Sequence, residues 1–182
     1  IIPLIDKPLV TYGIEADNVD FKAKNIIHND GKVTFDVIHD KKNYSFSMNI
    51  PGSYNVLNAL AAISVCKTMG LSIEDISNSL KDFSGVKRRF DIKKHNETIT
   101  IIDDYAHHPV EVSSVIEAVK SNWDRRLLVI FQPHLFSRTK QFHKDFAKSL
   151  FDADIILITE IFASREKLDP SISSKRISEH LR

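Results

Sequence analysis

Three short apolar runs, each breaking into a polar cluster, constrain this chain more than any other feature. Residues 99–102 read Ile-Thr-Ile-Ile and stop at Asp103, Asp104, Tyr105, His107 and His108. Pro109 then suits the first turn of a helix, and Val112, Val115, Ile116 and Val119 follow at helical spacing. Residues 127–131 (Leu-Leu-Val-Ile-Phe) give way to Gln132, His134, Ser137 and Arg138, after which Phe142, Phe146 and Leu150 recur at i, i+4 and i+8. Residues 155–159 form a third such run, followed by Glu160 and a loop with Arg165 and Glu166. Strand, loop and helix in alternation predict an α/β fold with a mostly parallel sheet and right-handed crossovers. Ligands bind at the strand exits of such sheets, so Asp103, Asp104, Tyr105, His107, His108, His134 and Arg138 are expected to converge.

The first fifty residues have a different grammar. The spacing predicts strands over 19–27, 32–38 and 44–48, with Asn29-Asp30-Gly31 and residues 40–43 as hairpin turns. No chemistry is evident in this meander. Residues 51–62 then open a helix that ends near Gly70, with Leu57, Leu60, Ala61, Ser64 and Val65 as its expected core stripe. Asn55 and Asn58 are three apart and share a face near its start. Their carboxamides suit either capping of the helix or pairing with the donor and acceptor on adenine's N6/N7 edge. Ser72 is the expected cap of a second helix that buries Ile73, Ile76 and Leu80.

Residues 83–90 separate the two halves. Gly85 offers a flexible point, and Lys87, Arg88 and Arg89 form a basic run. That run suits a solvated linker, or a hinge that brings a guanidinium onto a phosphate. The expected division is therefore 1–85 and 86–182.

Composition excludes several classes. The 182 residues carry a net charge of +1, which gives no basic footprint for nucleic acid or an anionic membrane surface. No apolar run reaches spanning length. Cys66 is the only cysteine, so there is no internal disulfide, as expected of a reducing, cytoplasmic setting. His107 and His108 are adjacent and lack companions at zinc spacing, so no metal site is expected. The chain begins at Ile1 without a methionine, and reads as an excerpt of a longer protein.

Taken together, these segments resemble the Mur ligase family, which builds the peptide of bacterial cell-wall precursors. Residues 51–62 look like the family's adenine-binding helix, and residues 83–90 like its interdomain arginine linker. Residues 103–109, with 131–134 and 137–139, are most similar to the branch that adds L-alanine to UDP-N-acetylmuramate. The resemblance implies the end of a P-loop-type central ATPase domain over 1–85, and a Rossmann-like C-terminal domain over 86–182. It implies that Asn55 and Asn58 contact the adenine of ATP, Arg89 its phosphates and Asp104 its ribose. It also implies that Tyr105, His107, His134 and Arg138 face the muramyl and amino-acid substrates, with Arg89, His134 and Arg138 in the catalytic set.

Two positions depart from the family pattern: Tyr54 stands where histidine is common, and Leu135 where alanine-adding members often carry arginine. The related ligase that reattaches a recycled tripeptide is the alternative the family offers; a nucleotide-binding module without activity is another. No G-x-x-x-x-G-K-[ST] phosphate cradle occurs in the sequence, since Gly31-Lys32 lacks a second glycine at that spacing. The resemblance places that cradle, the Mg2+ ligands and the UDP-holding domain upstream of Ile1.

Overall fold

The computed structural model describes residues 6–181. The expectations attached to Ile1 and the start of the chain lie outside them. The chain divides into two compact units, one ending at Gly85 and the other starting at Val86.

The first unit is a four-stranded sheet with two helices. Its strands are β1 (Tyr12–Gly13), β2 (Phe21–Asn29), β3 (Lys32–His39) and β4 (Lys42–Met48), in the order β1-β2-β3-β4. The β2–β3 and β3–β4 pairs are antiparallel, and β1 runs parallel to β2. Both hairpins turn on two residues with positive φ: Asp30 (47°) with Gly31 (80°), and Asp40 (49°) with Lys41 (62°). That left-handed pair matches the twist of the flanking strands.

Alternation along the strands buries Phe21 and Ala23, then Val33, Phe35 and Val37, then Phe46 and Met48. An irregularity between Lys24 and Ile27 interrupts the ladder at Asn25, whose φ is 52°. Asn25 donates through Nδ2 to Asp36 at 2.8 Å, and Ser45 donates to the other Asp36 oxygen at 2.6 Å, so the bulge is pinned.

Helices α1 (Ser53–Thr68) and α2 (Ile73–Asp82) complete this core. Ser72 caps α2 as expected, accepting the Asp75 N–H at 3.0 Å. The buried side of α1 is Val56, Ala59, Leu60, Ile63 and Ser64. The expected stripe was rotated: Leu57 is 39% and Val65 59% exposed. The helix is apolar at nearly every position from 56 to 66, so periodicity could not choose a face. Each fully buried Leu, Ile or Phe here contributes about 1.5–3 kcal/mol relative to leaving it in water. Gly85 ends the unit at φ 92°, where a Cβ would meet Ile50 Cδ1 at 3.1 Å, so both conformation and space call for glycine.

The second unit holds β5 (Asp91–His95), β6 (Thr100–Asp103), α3 (Pro109–Asn122), β7 (Leu128–Phe131), α4 (Phe136–Leu150), β8 (Ile155–Ile158) and α5 (Lys175–Ser178). Parallel pairing joins β7 to β8 in register, Leu128 with Ile155 through Phe131 with Ile158. By contrast, β6 is bonded antiparallel to β5, and among the described residues no ladder joins β6 to β7. The sheets are therefore mixed.

The β5–β6 partnership is set locally. Asn96 accepts the N–H groups of Thr98 and Ile99 at 3.0 and 2.9 Å and closes the turn between the strands. Val129, Phe131, Ile156 and Ile158 pack with Val112 and Ile116 of α3 and Phe146 and Leu150 of α4. The other face of β7–β8 is bare: Leu128 is 50%, Ile130 67% and Leu157 50% exposed. Among the described residues no helix is long and apolar enough to cross a membrane.

Candidate functional site

The exits of β6 and β7 come together although no ladder connects those strands. His107 and His134 face each other with ring centroids 6.0 Å apart, and the Tyr105 ring meets His107 edge-on at 5.0 Å. Arg138 reaches across from α4 and donates through Nη1 to the His107 carbonyl at 3.5 Å. Tyr105, His107, His134 and Arg138 thus form one cluster, as the sequence led us to expect.

Each member is held by its own exit loop. His107 Nδ1 lies 2.8 Å from the Tyr105 carbonyl, and its backbone N–H donates to Glu111 at 2.9 Å. His108 serves as the N-cap of α3: its Nδ1 accepts the Val110 N–H at 3.4 Å, and Glu111 reaches back to the His108 N–H at 3.1 Å. The second histidine of the pair therefore starts a helix. Burial raises the Glu111 carboxyl, but the amides and imidazoles of His107 and His108 outweigh it and leave it below the usual range.

His134 sits beside Phe162, to which its backbone is bridged in the parallel sense. Its Nδ1 is buried with no partner among the described residues. Burial first, and then the charges of Arg138, His107 and Arg165, hold its imidazole below the ordinary histidine value; Glu166 opposes them. The ring is thus neutral at pH 7.

Leu135 follows at φ 74° and ψ 132°, a strained conformation for a residue with a side chain, and is buried. Such strain costs on the order of 1–3 kcal/mol and persists only where the surroundings enforce it. Here the Leu135 N–H donates to the Phe162 carbonyl at 2.9 Å, and its own carbonyl accepts from Thr139 N (3.1 Å) and Oγ1 (2.8 Å).

The basic linker wraps onto the β6 exit. Arg88 (φ 61°) donates its N–H to Asp91 at 3.1 Å, accepts the Tyr105 N–H at 2.8 Å, and lays its guanidinium 4.8 Å over the Tyr105 ring. Asp104 accepts the Phe90 and Ala106 N–H groups, each at 2.7 Å and each on a different oxygen. One oxygen thereby holds the linker, and the other holds the exit loop. Arg89 is exposed, and its side chain has no hydrogen bond or ion pair among the described residues. Arg88 is the residue that sequence reasoning undervalued; its stack on Tyr105 had no local signal.

In the first unit, Asn55 is half-buried on α1 and donates to the Pro51 carbonyl at 2.7 Å. Asn58 is exposed and donates to Asn55 Oδ1 at 3.4 Å. Neither caps the helix; the N-cap is Gly52 (φ 104°), with no side-chain bond. The capping explanation is thereby removed. Among the described residues no group of three or more His, Cys, Asp or Glu is arranged to hold a metal ion. These residues do not fit Mg2+.

Cations and imidazoles gathered at α/β strand exits suit the binding of anions. Two family models match the chain. The one described as "Mur ligase, glutamate ligase domain" matches residues 88–182, and the one described as "Mur ligase middle domain" matches residues 4–66. The chain belongs to the Mur ligase family.

Among curated relatives, the UDP-N-acetylmuramate–L-alanine ligase of Geotalea daltonii is 42% identical over 100% of this chain. The chain spans 40% of that relative's length. The crystal structure of UDP-N-acetylmuramate–alanine ligase MurC from Thermotoga maritima superposes with a TM-score of 0.79 at 31% identity, over 94% of this chain and 36% of that one. MurF ligase from Thermotoga maritima, solved in complex with ADP, shares the fold at 19% identity and a TM-score of 0.69, over 92% of this chain and 37% of that one.

Proposed function

We propose that the chain is the end of the ATP-binding domain and most of the C-terminal domain of an ATP-dependent ligase that joins L-alanine to UDP-N-acetylmuramate. The observation that carries this reading is the Tyr105–His107–His134–Arg138 cluster, on a chain alike throughout its length to alanine-adding ligases. In the proposed reaction the muramyl carboxylate attacks the γ-phosphorus of ATP, giving an acyl phosphate and ADP. The alanine amine then attacks the acyl carbon, and phosphate leaves from the tetrahedral intermediate. Such chemistry asks the protein for positioning and for positive charge on the transferring group.

The residue roles are those the family resemblance implies, and the geometry is compatible with them. Arg89, exposed and uncommitted among the described residues, reaches the phosphates. Asp104 keeps lone pairs for ribose hydroxyls after accepting its two amides. Asn55 and Asn58 read the adenine edge. Arg138 forks onto a substrate carboxylate or phosphate, and Tyr105 and His107 line the same substrates. His134 lies beside His107 and Phe162 at the β7 exit, where it faces the same substrates.

In the full-length enzyme, Arg138→Ala is expected to lower kcat/KM by tens- to thousands-fold, because removing one partner of a desolvated charge pair costs on the order of 2–5 kcal/mol. Arg138→Lys should recover only part, since an ammonium lacks the planar fork. Near-normal kinetics for both variants with alanine, ATP and UDP-N-acetylmuramate would remove Arg138 from the site. Turnover with a tripeptide in place of alanine would favour the recycling ligase instead.

A further inference from the structure

Glu166 lies in the loop after β8, 29 residues from Ser137. Its Oε2 accepts the Ser137 N–H at 3.0 Å, and its Oε1 accepts the Ser137 hydroxyl. Ser137 is in the first turn of α4. The N-cap of that helix, Leu135, supplies no side-chain acceptor, and its first turn contains no acidic residue. The carboxylate that the helix's own sequence lacks therefore arrives from a distant loop, where it meets orphan N–H groups and the positive end of the helix. Hydrogen bonding from Ser137, side chain first and then backbone, holds the Glu166 carboxyl below the usual range, so it is ionised at neutral pH.

The same loop grips the exit of β7 a second time. The Leu135 N–H donates to Phe162 O at 2.9 Å, and the Phe162 N–H donates to Pro133 O at 2.8 Å. Residues 133–137 are thus laced to residues 162–166 at both ends of the strained Leu135. His134 lies inside this lacing, and Arg138 is the next residue after the Glu166-bound serine.

We propose that Glu166 is a positioning residue. By closing the first turn of α4 from the β8 loop, it fixes Arg138, the residue next to Ser137. The proposal rests on the reading of Arg138 as the anion-binding group. Glu166 need not touch substrate, since both its oxygens are already engaged by Ser137. A cap that only stabilised α4 would lower the melting temperature and leave the kinetics of folded enzyme unchanged. A positioning group acts through Arg138, and its effect vanishes when Arg138 is gone.

The test uses the full-length ligase with E166A, E166Q, R138A and the E166A/R138A pair, assayed well below the melting temperature of each. E166A is expected to raise KM for the substrate whose anion Arg138 holds, with kcat/KM for it falling about tenfold and the other KM values little changed. E166Q should retain more activity, because the amide oxygen still accepts from Ser137. In the R138A background, E166A should change kcat/KM by less than about twofold. An inert R138A would overturn both the reading of Arg138 and this proposal. A damaging R138A beside a near-normal E166A, or two effects that simply multiply, would overturn the role of Glu166 alone. Should E166A fail to fold, S137A breaks the same clamp from the other side, and an unchanged KM in S137A would equally sink the proposal.

Discussion

Asn58 is a plain case of a side chain whose local duties are light. It donates once, at 3.4 Å, to a neighbour on its own helix, and it faces solvent. Truncating such a residue changes stability by about 0.5 kcal/mol or less. If its carboxamide reads adenine, Asn58→Ala in the full-length ligase should weaken ATP binding at least severalfold, with the melting temperature and the KM for UDP-N-acetylmuramate almost unmoved. Calorimetric titration with a non-hydrolysable ATP analogue beside a thermal melt would check this. A lowered melting temperature with unchanged nucleotide affinity would return Asn58 to a structural role. At this scale the expected convergence of His134 and Arg138 is visible in their shared contacts with His107. The sequence carried no sign of the Glu166–Ser137 hydrogen bonds or of the stack of Arg88 on Tyr105. Both are pairings across loops, with no spacing to betray them.

Among the elements, the docking of α4 against the segment that carries α5 offers a readable titration. His143 on α4 stacks on His180 with centroids 5.0 Å apart and planes 17° from parallel. Burial first, then the charges of His180, Arg176 and Lys144, hold His143 below its ordinary value of 6.5, with Glu179 opposing. His134 is displaced in the same direction. A histidine whose pKa is lowered on folding binds its proton more readily in the unfolded chain. Its contribution is therefore complete above the unfolded pKa and is lost as pH falls below it. The melting temperature of the polypeptide should be level above pH ~7 and decline toward pH ~5, well before the carboxylates titrate. His143→Phe, which keeps a ring against His180 and removes the proton site, should flatten that decline; an unchanged slope would show that His143 does not contribute. Element identities were mostly legible, because turn residues such as Asp30-Gly31 and the Ser72 cap announce themselves locally. The face of α1 was not, since apolar residues surround it. Nor was the pairing of β6 with β5, which depends on the Asn96 turn.

The molecule as a whole has no phosphate cradle. Its 182 residues lack the glycine-rich loop that would hold β- and γ-phosphates, and no described cluster can hold a metal. The purified polypeptide, given ATP, Mg2+, alanine and UDP-N-acetylmuramate, should release phosphate no faster than buffer, and any release dependent on both substrates would contradict this. The division of labour between a meander-and-helix unit and an α/β unit was readable from the change of periodicity near Gly85.

The bare side of the β7–β8 pair has a practical outcome. Parallel strands are ordinarily sheltered on both faces, yet here Leu128, Ile130 and Leu157 stand in water while their neighbours Val129, Phe131 and Ile156 are packed. Three branched hydrocarbons on a flat, rigid ribbon form a sticky spot on a nearly uncharged particle, whose net charge of +1 gives little mutual repulsion. Self-association of this polypeptide at high concentration is therefore expected to run through that ribbon, and Ile130→Lys should raise the concentration at which light scattering first appears.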